Sequence, residues 1–136
     1  MRFVVEEGGF PPIREHNTDA GIDLRTPERL VIYPHHSVHV DLLVRVEIPK
    51  GYVGLLTSKS GLMRYRNIKT TGTIDSGYTG TIGCKVFNHG GEIVILERGA
   101  KITQLVVLPC ITDEVELVDV IEGGERGENG FGSTGT

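Results

Sequence analysis

A chain of 136 residues, 38% apolar and 24% charged, has the size and composition of one globular domain that needs no disulfide or metal to hold its core. Its net charge of −4 argues against a general nucleic-acid binder, whose affinity rests on basic side chains against phosphate. Cys84 and Cys110 form no CxxC, no run approaches the ~18 apolar residues of a membrane span, and the acidic "MRFVVEEGGF" start lacks a signal peptide's apolar core, so a reducing, cytoplasmic setting is expected.

Taken in chain order, the elements read as short strands. "AGIDL" (20–24) sets Asp23 between apolar neighbours. "YPHHSVHV" (33–40) is a turn entering a strand. Its His35, His36 and His39 invite a metal reading, but no cysteine or second cluster completes a site, and a solvated face is expected. In "VHVDLLVRVEI" (38–48) every even position is apolar, from Val38 to Ile48. Period two over that length predicts a half-buried strand, or a strand pair with a bend. "YVGLL" (52–56) is the next strand, and "SGLMRYRN" (60–67) the single helical candidate, a turn or two at most. "GTIDSGYTG" (72–80) reads as strand, tight turn, strand. "TIGCKVFN" (81–88), "EIVIL" (92–96), "ITQLVVL" (102–108) and "EVELVDV" (114–120) add strands, with Gly, Pro, Asn or Asp in the gaps. Cys84 follows the alternation of Ile82 and Val86, which predicts a core thiol.

Strands this short and evenly spaced predict an all-β fold, a sandwich or jelly-roll barrel, over residues 1–121. The composition changes at "EGGERGENGFGSTGT" (122–136), which holds six of the 19 glycines. One large apolar side chain there does not offset the ordering entropy, so a flexible arm is expected.

Five segments carry groups suited to phosphate. Asp23 in "AGIDL" can hold a metal or a metal-bound water, or cap a turn. In "TSKSGLM" (57–63), Lys59, Ser60 and Gly61 join a cation, a hydroxyl and open backbone where the helix starts; the alternative is a serine N-cap before a turn. Asp75 in "GTIDSGYTG" follows an apolar Ile and precedes a turn, so partial burial is expected, with capacity as a general base toward water. Tyr78 offers a flat face. Gln104 in "GAKITQL" (99–105) carries an amide able to donate to an oxyanion. In the tail, Arg126, Ser133, Thr134 and the glycines around them suit phosphate, and the exposed ring of Phe131, beside Gly132, can stack on a base.

Each signal is weak alone, but together and in order "AGIDL", "SKSGL", "GTIDSGY", "GAKITQL" and "RGENGFGSTG" resemble the five motifs of the trimeric dUTPase family. The resemblance covers about residue 11 to the end. It implies a β jelly roll, a distorted β-barrel assembled as a homotrimer with shared active sites, and hydrolysis of dUTP to dUMP and pyrophosphate. That reaction keeps uracil out of DNA and supplies dUMP for dTMP synthesis. By position, Asp75 is then the base that activates water toward the α-phosphorus, and Tyr78 packs on the deoxyribose. The backbone of Gly72, Thr73 and Ile74 reads uracil, while Lys59, Ser60, Gly61 and Gln104 contact phosphates. Arg126, Phe131, Gly132, Ser133 and Thr134 close over the nucleotide from the arm, and Asp23 touches Mg²⁺ through water. Two departures stand out: Lys59 where the family usually has Arg, which loses the bidentate fork, and Gly77 where it often has Asp. A related dCTP deaminase needs a Glu three residues before Asn88; this chain has Lys85, which cannot shuttle that proton. The alternative from another class is a dUTP-binding regulator that acts through a protein partner, as for some phage relatives.

Overall fold

The computed structural model describes residues 1–124 and Gly127. Within them lie ten strands: β1 (Phe3–Val5), β2 (Ile22–Arg25), β3 (Leu30–Ile32), β4 (Ser37–Asp41), β5 (Val44–Val46), β6 (Tyr52–Ser58), β7 (Ile68–Ile74), β8 (Gly83–Asn88), β9 (Val94–Leu96) and β10 (Lys101–Pro109). One short helix, α1 (Ser60–Arg66), joins β6 to β7. The all-β expectation holds. Six strands, in the order β2-β10-β6-β7-β8-β4, form a curled antiparallel sheet, flanked by the two-stranded pairs β1-β5 and β3-β9.

The period-two run at 38–48 is a strand pair with a bend. Val40, Leu42, Val44, Val46 and Ile48 are buried and Val38 packs against them, as their parity requires. The bend falls at Leu43, whose φ of 54° is uncommon for a side chain without a local acceptor. Asp41 supplies one: its Oδ1 accepts the Leu43 N–H at 2.9 Å. The core is completed by Leu24, Ile32, Ile68, Ile82, Cys84, Val86, Ile102 and Leu105, all almost wholly buried.

Strand β7 changes neighbours along its length. Residues 68–71 pair with β8, whereas Gly72, Thr73 and Ile74 pair with β6. The switch is sealed by side chains: the Thr70 N–H donates to Ser58 Oγ at 2.9 Å, and Thr70 Oγ1 bonds Thr103 Oγ1 at 3.0 Å. Past Thr71 the β7–β8 ladder stops, so among the described residues no strand lies on the β8-side edge of 72–74.

Three expectations are corrected. Residues 114–120 form no strand: Val115 and Leu117 are 90% and 95% exposed, and without a neighbouring strand alternation has nothing to bury. The turn at 75–82, between Ile74 and Gly83, is a loop rather than a tight hairpin. Asp75 is exposed, because Ile74 takes the inward position at the strand end and the chain then leaves the sheet. The short β1, β2 and β3 escaped the reading, since three or four residues carry little alternation to register.

Candidate functional site

Asp23 sits mid-strand on β2, at 6% exposure. Its strand lies at the sheet edge, and a bridge to Ile13 covers it, with the Asp23 N–H donating to the Ile13 carbonyl at 2.7 Å. Register then builds a row. Asp23 pairs with Gln104 on β10, and Gln104 with Thr57 on β6, so all three point to one face of the sheet. Ile22, Leu105 and Leu56 form the next row and point to the core. Asp23 is therefore buried beneath a lining of other residues, on the face opposite the hydrophobic core.

A buried carboxylate needs partners. The Lys59 ammonium contacts Asp23 Oδ1, and the Lys101 ammonium lies 3.1 Å from Oδ2. Burial pushes the Asp23 carboxyl up, but hydrogen bonds from Lys59 and Lys101 outweigh it and hold it below the usual carboxylate range. Lys101 also reaches Glu15 at 2.6 Å; bonds to Glu15 and then Asp23 raise its ammonium above the ordinary lysine value. Gln104 donates from Nε2 to the Ser58 carbonyl at 3.3 Å and lies flat across Gly21. A Cβ at Gly21 would collide with the Gln104 amide, which gives the glycine of "AGIDL" a physical reason. These residues line a cavity of about 480 Å³ together with His16, Asp19, Ala20 and Val106.

Lys59 is the N-cap residue of α1, so Ser60 is the first helical residue rather than the cap, and no side chain caps the helix. Ser60 is exposed, and Gly61 has open space where a side chain would sit. At the other end Asn67 takes the left-handed conformation with φ of 53°.

Asp75 and Tyr78 lie elsewhere, on the 75–82 loop. The Tyr78 N–H closes a turn onto the Asp75 carbonyl at 3.1 Å. Tyr78 folds back over Gly80, and its hydroxyl donates to the Thr81 carbonyl at 2.9 Å. The Thr81 hydroxyl donates in turn to Asp41 Oδ2 at 2.7 Å, and Arg45, paired with Glu6, donates to the Thr79 carbonyl at 3.1 Å. Ser76, Gly77, Tyr78 and Thr79 face a second cavity, of about 620 Å³, which Arg2 and Arg45 also line.

The structure thus brings Asp23, Lys59 and Gln104 together on one cavity and places Tyr78 on a separate one, with Asp75 exposed at the start of the same loop. Arg126, Phe131, Gly132, Ser133 and Thr134 lie outside the described residues. The sequence reading missed Lys101, Glu15, Gly21 and Arg45. Lys101 stood inside "GAKITQL", but simple alternation from Gln104 turns it to the core. The histidines form no shared centre: His36 Nδ1 meets the Pro34 carbonyl at 2.7 Å, and His39 lies over Gly83. Cys84 is a core thiol, as expected, and burial pushes it up to about 11. Asn88 is buried, with its amide donating to the Ile32 and Glu92 carbonyls. Among the described residues no helix is long and apolar enough to cross a membrane.

Comparison with known proteins gives this arrangement a family. A sequence profile of dUTPase matches residues 11–135. The chain is 38% identical to a deoxyuridine 5'-triphosphate nucleotidohydrolase of Clostridium novyi, with 99% of each chain covered. It is 42% identical to that of Escherichia phage T5, with 86% of each covered. A mutant dUTPase of Staphylococcus bacteriophage 80alpha, solved with dUpNHpp, superposes with a TM-score of 0.89 at 33% identity, covering 99% of this chain and 98% of that one. A mutant dUTPase from phage phi11 of S. aureus, which coordinates a structural Mg(II) ion, gives 0.79 at 32% identity, over 90% and 98%. The chain belongs to the dUTPase family.

Proposed function

We propose that this protein hydrolyses dUTP to dUMP and pyrophosphate, with Asp75 activating the attacking water. The observation that carries the reading is the convergence of Lys59, Gln104 and a twice-paired Asp23 on one cavity, in a chain that matches dUTPase over 11–135. Phosphoryl transfer of this kind needs in-line positioning and charge neutralisation more than covalent chemistry. Lys59 and Gln104, with the backbone and hydroxyl of Ser60 and Gly61, supply donors for the triphosphate. The open edge of Gly72, Thr73 and Ile74 leaves backbone donors and acceptors for a planar base, which is how uracil is read. Tyr78, held by Thr81, presents its ring to the sugar. Asp75, exposed in one chain, is the base that takes the proton of water.

Mg²⁺ enters with the triphosphate as part of the substrate. The residues fit that arrangement: both oxygens of Asp23 are hydrogen-bonded to lysines, and among the described residues no group of three His, Cys, Asp or Glu forms a metal cage. A single carboxylate beside a hydrated ion is the usual setting of Mg²⁺ on phosphates, where it offsets negative charge. Asp23 contributes outer contacts, through water.

The active site is shared within a homotrimer in this reading. Support comes from the separation of the Asp23 cavity from the Tyr78 cavity in one chain and from residues 111–121, whose Ile111, Val115, Leu117 and Ile121 are 86–95% exposed. Residues 1–121 act as the catalytic domain, and 122–136 as the arm that closes with Arg126, Phe131, Gly132, Ser133 and Thr134. The compartment is the cytoplasm, in keeping with two unpaired cysteines. The test is phosphorus NMR of the purified protein with Mg²⁺ and, separately, dUTP, UTP, dTTP and dCTP. Pyrophosphate and dUMP from dUTP alone are expected. Bound but unconverted dUTP would overturn the reading.

A further inference from the structure

Lys101 reaches Asp23 only because β10 is bulged. From Thr103 onward the strand alternates: Thr103 and Leu105 point to the core, Gln104 to the cavity. Continued without interruption, that alternation would bury Lys101 in the core. The ladder with β2 instead shifts register, pairing Lys101 with Arg25 and Thr103 with Leu24. The extra residue, Ile102, is wholly buried, and Lys101 emerges on the cavity face. A bulge beside a site commonly re-aims one side chain in this way.

The two lysines on Asp23 are anchored unequally. Lys101 is held from two sides, by Asp23 at 3.1 Å and Glu15 at 2.6 Å. Lys59 has Asp23 as its one ion-pair partner among the described residues, and its side chain is 28% exposed to the cavity. Its ammonium is a compact charge on a flexible stem, able to turn from one oxyanion to another. If Lys59 were the sole partner of Asp23, its departure would strand a buried carboxylate, which is strongly unfavourable.

We propose that Lys101 is a positioning residue for triphosphate binding: it stays on Asp23 and keeps that buried charge compensated while Lys59 turns to the incoming phosphates. The proposal rests on the dUTP reading above and explains how a lysine serves at position 59. It also separates the two cations by role. Lys59 touches substrate; Lys101 acts through Asp23.

The test is a double-mutant cycle between Lys101 and Asp23, read by steady-state hydrolysis of dUTP and by calorimetric affinity for dUpNHpp. Lys101→Gln is expected to raise KM for dUTP and weaken the analogue about tenfold, with kcat within about twofold. Lys101→Arg should restore affinity to within about threefold, because the charge on Asp23 returns. In the Asp23→Asn background, Lys59 is already free, so adding Lys101→Gln should change affinity less than about twofold. Thermal unfolding of each variant checks the fold, and Lys101→Arg carries the test if Lys101→Gln unfolds. An unchanged Lys101→Gln, or the same loss in both Asp23 backgrounds, overturns the proposal. Wild-type protein that binds dUpNHpp without turning over dUTP would remove the hydrolytic reading alone, and the affinities would still decide the role of Lys101.

Discussion

The two halves of the site are built in opposite ways. Around Asp23, three neighbouring strands supply one row of side chains, and Asp23 is paired with lysines from two other segments. Around Asp75, the chain has left the sheet, the carboxylate faces solvent, and the loop is held from behind by Thr81 on Asp41 and Arg45 on Thr79. In the proposed reading the first half receives the phosphates, and the second, a braced loop, supplies the ring and the base. Binding and water activation are then separable, and substitutions in the two halves should fail differently.

The sharpest way to break the comparison is at Asp75. Asp75→Asn should lower kcat about 10³-fold or more, within the range of a lost general base, while dUpNHpp affinity stays within about threefold. Unchanged turnover would strip Asp75 of that role. Next comes the arm: ending the chain before Arg126 should cut kcat about a hundredfold or more with the melting temperature unmoved, since the packed core lies elsewhere. A fully active truncation would mean that the arm is no lid. A smaller effect belongs to the preformed half. Gly21→Ala pushes the Gln104 amide off its seat, so kcat/KM should fall about tenfold, chiefly through KM, with activity on Asp75 chemistry otherwise intact. A loss confined to kcat would place Gln104 with the catalytic loop instead.

The smallest effect concerns the core beneath both halves. Cys84 is buried, and its thiol is pushed up to about 11, whereas an unfolded thiol titrates near ~8.5. The raised folded value means that the contribution is complete below pH ~8.5 and is lost as pH rises through about 11. Relative to Cys84→Val, wild-type stability should drop by about 1–2 kcal/mol between pH 8 and pH 10, measured by urea unfolding at each pH. Parallel curves at the two pH values would show that the thiol titrates normally.

Much of this was legible in the chain itself. Alternation at 38–48 predicted a half-buried strand or a bent strand pair, because burial on one face leaves a period-two record in the residue types, and the structure decided for the pair. The ordered motifs marked the family, since Lys59, Asp75, Gln104 and the tail keep their spacing whatever the fold does between them. The same alternation misled at 114–120, where no strand lies alongside, and at Lys101, where one extra residue reverses the parity.

The sequence by itself determined the all-β class, the core parity and the family's ordered motifs, because these depend on near neighbours along the chain. Tertiary structure alone decided that Lys101 shares Asp23 with Lys59, that Gly21 seats Gln104, and that Tyr78 faces a different cavity. Those facts rest on strand register, a bulge and a loop's departure from the sheet. Each depends on contacts between residues far apart in the chain, which local pattern does not encode.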